Sequence, residues 1–127
     1  LYTKLKNQGF KALKTTPLIL HRSRPWSWHQ WAESVGVEDF DPKQIIQFDS
    51  MFGVARAAQQ GMGIALAPLP MSKAWFSDQL LIKLFDEELN TNDKYFLIQH
   101  ENVENRPELS LFATWVKQSF GDELALL

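Results

Sequence analysis

At 127 residues the chain is one domain's worth, long enough to bury about two thirds of the surface its unfolded form exposes. Its 45% hydrophobic and 22% charged content exclude a disordered or membrane class, and no apolar run is long enough for a membrane span or shaped like a signal peptide. Thirteen basic against fifteen acidic side chains give a formal charge of −2, without the basic excess that phosphate-backbone binding leaves, so nucleic acid is excluded as this segment's own partner. The absence of cysteine removes thiol nucleophiles, thiolate metal sites and disulfides, as suits a cytoplasmic protein.

The chain opens at Leu1 instead of an initiator Met, with no strand before its first basic stretch, and so reads as a start inside a larger domain. Residues 2–8 form a short helix ending at Gly9, with Leu5 turned inward and Lys4 and Lys6 in solvent. The apolar run Leu18, Ile19, Leu20 reads as a buried strand, followed by a polar mouth of His21, Arg22, Ser23 and Arg24. Pro25 suits a first helical turn. Trp28, Trp31, Ala32 and Val35 then repeat at helical spacing until Gly36 stops them.

Residues 47–70, QFDSMFGVARAAQQGMGIALAPLP, organise the rest, because strand, cap, helix, glycine turn and strand follow one another without interruption. Ser50 is placed to cap a helix whose buried face is Met51, Val54, Ala55 and Ala58. Gly61 supplies the left-handed stop and Gly63 a close backbone approach, leading into a strand over residues 64–67, apolar enough to be covered on both faces. Pro68 and Pro70 end the pairing. Asp49 and Ser50 fall where a strand end meets the donor-rich start of a helix, a place to hold a ligand's carboxylate or polar tip.

Beyond it, residues 71–79 predict a short helix, residues 80–85 a strand, residues 86–93 an acidic surface loop and residues 94–99 a last strand. Pro107 opens a final helix in which Leu109, Phe112, Ala113, Val116 and Phe120 make one apolar stripe, closed by Gly121. Strands alternating with helices predict an α/β sheet covered by helices on both faces.

The succession FDSMFGVARAAQQGMGIALAPLP, LIKLF, KYFLIQH and NRPELSLFATWVKQSF resembles, over nearly the whole chain, the effector-binding domain of LysR-type transcriptional regulators. The stretch HRSRPWSWHQWAESVGV further resembles the subgroup that includes activators of glycine-cleavage and β-lactamase genes, in which an Arg and a Trp-containing helix sit in the same order. Gln79 departs from the pattern, since many members carry Gly before the next strand. The resemblance implies an α/β, type 2 periplasmic-binding-protein-like effector domain, represented mainly by one lobe with a mixed sheet flanked by helices. It implies that residues 1–93 belong to the second lobe and that residues 94–127 are the return crossover strand and a helix of the first. A small-molecule effector, an amino acid, carboxylate or cell-wall fragment, is then expected in the interlobe cleft. Carried over, the effector-binding residues are Ser50, Tyr95, Arg22, His21, Ser23, Asp49, Pro68 and Leu69, with Phe48 and Met51 as apolar walls. DNA is reached only through an N-terminal domain outside this chain, the protein is a homo-oligomer, and neither a membrane, a cofactor nor a metal is implied. The alternative is a lobe of a periplasmic-type solute-binding protein, which shares the fold.

Other chemistry is weaker. His21, Asp49 and Ser50 are the residue types of a nucleophilic triad, yet no Gly-x-Ser-x-Gly elbow surrounds the serine, and the chain reads as non-enzymatic. His21, His29 and His100 lack metal-ligand spacing. Gly61-Met62-Gly63 follows a helix, where a dinucleotide fingerprint precedes one. Trp26, Trp28 and Trp31 read as core.

Overall fold

The computed structural model describes residues 2–69, 71–100, 106–120 and 124–126. They form two units, Leu1–Leu89 and Asn90–Leu127.

The first unit is built on three short parallel strands, β1 (Leu18–His21), β2 (Ile45–Phe48) and β3 (Ile64–Ala65), in the order β2-β1-β3. Leu18 pairs with Ile45 on one side and Ile64 on the other, so β1 is central and its three aliphatic residues are fully buried. They point alternately to two cores. Leu18 and Leu20 meet Trp28, Trp31 and Ala32 of α3 (Ser27–Ser34), together with Leu5 of α1 (Tyr2–Gln8) and Ala12 and Leu13 of α2 (Ala12–Thr15). Ile19 meets Val54 and Ala57 of α4 (Met51–Gln59) on the opposite face. The two-residue period of a strand thereby places α3 and α4 on opposite sides of one sheet. Trp28 also donates from Nε1 to the Ile19 carbonyl at 3.0 Å, tying α3 to the central strand.

Several expectations need correction. The buried line of α4 runs through Val54 and Ala57, with Met51, Ala55 and Ala58 only half-buried, because the contact with β1 follows an i, i+3 row. The strand expected over residues 64–67 stops after Ala65 and is paired on one side. Residues 80–85 are not a strand: the Leu80 and Leu81 amides turn back to the Trp75 carbonyl at 2.9 and 3.0 Å, while Leu84 and Phe85 pack on the Trp31 side of the core. Phe85 sits 5.2 Å from the Phe10 ring and 5.7 Å from Trp31, so side-chain packing replaces strand pairing in placing this segment. Trp26 stands 70% exposed, apart from Trp28 and Trp31. The chain after Gly9 also stays helical, through a 3-10 turn (Gly9–Lys11) into α2, which was not expected from the sequence.

Helices α3, α4 and α5 (Lys73–Ser77) end in one motif, in which the second residue past the cap donates to the third-last helical carbonyl: Val37 to Ala32 at 2.8 Å, Met62 to Ala57 at 3.0 Å and Leu80 to Trp75 at 2.9 Å. The left-handed residue is glycine in the first two, Gly36 and Gly61, but Gln79 in the third, with φ +57°. A side chain there costs about 1–2 kcal/mol in backbone sterics. Gln79→Gly is therefore expected to raise stability by about 0.5–1 kcal/mol after allowing for glycine's freer unfolded state, read as a higher urea midpoint. An unchanged or lower midpoint would show that the glutamine side chain makes up the strain.

In the second unit β4 (Tyr95–Leu97) pairs in parallel with β5 (Leu124–Leu126), joined through α6 (Pro107–Phe120). Strand β5 was not expected from the sequence. Of the stripe expected on α6, Val116 is buried and Leu109, Ala113 and Phe120 are half-buried. Phe112 lies instead with Leu111 and Trp115 on an exposed flank, its ring 5.7 Å from that of Trp115. Gly121, Pro70 and residues 101–105 lie outside the described residues. All described strand pairs are parallel, each connection between paired strands carrying a helix, so no antiparallel pair making a mixed sheet occurs among them. No described helix is long and apolar enough to cross a membrane.

Candidate functional site

Adjacent parallel strands whose following helices leave to opposite faces open a crevice beyond their carboxyl ends, the usual ligand position in open α/β sheets. Here β1 and β2 meet that condition, since β1 leads to α3 on one face and β2 to α4 on the other. His21 stands opposite Phe48 at the last rung, and the Arg22 amide donates to the Phe48 carbonyl at 2.7 Å. His21, Arg22 and Ser23 on one strand end are thus brought beside Asp49 and Ser50 on the other.

Within this group each side chain has a local reason for its position. Ser50 is in extended conformation, and its Oγ accepts from the Gly53 amide at 3.0 Å, while its carbonyl accepts from Val54 at 3.1 Å. The Met51 and Phe52 amides have no intrahelical acceptor and face off the positive end of α4. Gly53 is what lets Phe48 close on this cap: a Cβ there would lie 3.1 Å from Phe48 Cδ1 and 3.3 Å from Ser50 Oγ. His21 Nδ1 lies 3.1 Å from the Ser23 amide and 2.7 Å from its Oγ. An amide can only donate, so Nδ1 accepts and the neutral ring carries its proton on Nε2. The arrangement leaves Arg22 and Asp49 exposed as opposite charges at the mouth. It also engages His21 with Ser23 and Ser50 with Gly53, not with each other, so these hydrogen bonds do not assemble the triad weighed from the sequence.

Pro68 and Leu69 follow β3, on the other side of β1. Pro68 is half-buried and its carbonyl accepts from Ser72, from Oγ at 2.6 Å and from the amide at 3.1 Å; Leu69 is 44% exposed. Ser72 is wholly buried and was missed by sequence reasoning, whose only cue was a serine four residues after a proline, the spacing of a side-chain-to-carbonyl turn. Tyr95 lies on β4 in the second unit, 41% exposed. Phe48 and Met51 are half-buried against the α4 core. Among the described residues no cluster of His, Asp and Glu is arranged to hold a metal ion.

The cap gives a prediction separable from ligand binding. Ser50→Ala removes the acceptor for Gly53 and is expected to cost about 1 kcal/mol, with Ser50→Asp holding near the parent value because it caps equally well. Chemical denaturation of the three proteins checks this, and an alanine variant as stable as the parent would contradict the capping role.

The family model of the LysR substrate-binding domain matches residues 3–121. The HTH-type transcriptional activator AmpR of Yersinia enterocolitica is 28% identical over 107 residues, covering 84% of this chain and 36% of that protein. The glycine cleavage system transcriptional activator of Escherichia coli K12 is 24% identical over 113 residues, covering 85% of this chain and 37% of its own length. The chain thus spans little more than a third of these curated relatives. Among solved structures, the AmpR effector-binding domain from Citrobacter freundii superposes with a TM-score of 0.62 at 23% identity, over 92% of this chain and 59% of that one, which shows a shared fold. With the family model matched across almost all of its length, the chain belongs to the LysR substrate-binding domain family.

Proposed function

We propose that this chain is the ligand-sensing part of a LysR-type transcriptional regulator, binding a small-molecule effector in an interlobe cleft and passing the binding energy to a DNA-binding domain elsewhere in the protein. The observation that carries the reading is the pairing of the ends of β1 and β2, which sets His21, Arg22 and Ser23 beside Asp49 and Ser50. The Arg22 guanidinium and the first-turn amides of α4 suit a carboxylate or other polar tip, the Ser23 hydroxyl adds directional bonding, and Phe48, Met51 and Leu69 supply apolar walls. In this reading Pro68 and Leu69, after β3, are further effector contacts, and Tyr95 is one by the family resemblance alone. Residues 1–93 form the second lobe, and residues 94–127 return the chain to the first. Effector binding acts by favouring one arrangement of lobes and subunits in a homo-oligomer, and so one DNA-bound state. The effector is an amino acid, a small carboxylate or a cell-wall fragment. The module itself turns nothing over and works in the cytoplasm.

The test is a thermal-shift screen of those three compound classes on the intact effector-binding domain. A ligand at a hundredfold its Kd adds about 2.7 kcal/mol of stability, which moves the midpoint by several degrees. Arg22→Ala is expected to abolish the shift produced by a carboxylate while leaving the unliganded midpoint within about 0.5 kcal/mol of the parent, as for an exposed side chain. A full shift retained in that variant would remove Arg22 from the site, and no shift from any class would overturn the sensing role.

A further inference from the structure

We draw no further inference here: the strongest candidate, the exposed apolar flank of α6 formed by Leu111, Phe112 and Trp115, carries nothing because no feature of the structure shows what covers it.

Discussion

Trp28→Ala is expected to lower stability by about 3–5 kcal/mol, a large part of what holds a domain of this size together. Trp28 is 1% exposed, packs edge-on against Trp31 with centroids 5.7 Å apart, and donates to the Ile19 carbonyl. Truncation opens a cavity between α3 and the central strand and removes that donor in the same step. Trp28→Phe separates the two effects, since it keeps an aromatic ring in place and loses the N–H and part of the volume; its cost should be well under half that of the alanine variant. Urea denaturation followed by circular dichroism gives both numbers. An alanine variant within 1 kcal/mol of the parent would mean that α3 does not close the core as described.

Gly63→Ala is the second large effect, and it arises from contact, not conformation. A Cβ at Gly63 falls on the Pro17 carbonyl oxygen, 3.0 Å from the carbonyl carbon and 3.3 Å from Ile19 Cγ1. Backbone cannot swing aside as a flexible side chain can, and this carbonyl also receives the Ile64 amide at 2.9 Å, the first rung joining β3 to β1. Accommodating the methyl group breaks or lengthens that rung, at a cost of about 3 kcal/mol. Gly36 provides the contrast. Its φ of +72° disfavours a side chain, yet nothing lies within 4 Å of where the Cβ would be, so Gly36→Ala should cost only about 1–2 kcal/mol. Equal losses in the two variants would refute the contact argument. A clearly larger deficit in Gly63→Ala, with amide exchange accelerated at Ile64 in that variant alone, would support it.

Local chemistry was legible wherever one residue's own conformational preference decides the outcome. Ser50 caps α4 because its short oxygen reaches the amide three residues on, and Gly36 and Gly61 end their helices because a left-handed residue costs glycine little. The β1 and β2 segments and the start of α6 were likewise set by short, largely apolar runs and by proline at a helix start. Patterns failed where two segments compete for the same surface. Residues 80–85 are as apolar as a strand, but Phe85 gains more by stacking among Phe10 and Trp31 than an unpaired edge would give it. Gln79 takes a glycine conformation because its amide and that of Leu80 are claimed by the end of α5.

The sequence by itself determined the residue types of the candidate site and the family resemblance that the family model bears out. Tertiary structure alone decided which of them meet. Periodicity says that Ile19 and Leu20 point to opposite faces, but not that α3 covers one and α4 the other; that choice comes from long-range packing, to which a local pattern is blind. It is the parallel pairing of β1 with β2, kept to the last rung while the two helices leave to opposite faces, that brings His21 and Arg22 beside Asp49 and Ser50, residues some thirty positions apart in the chain.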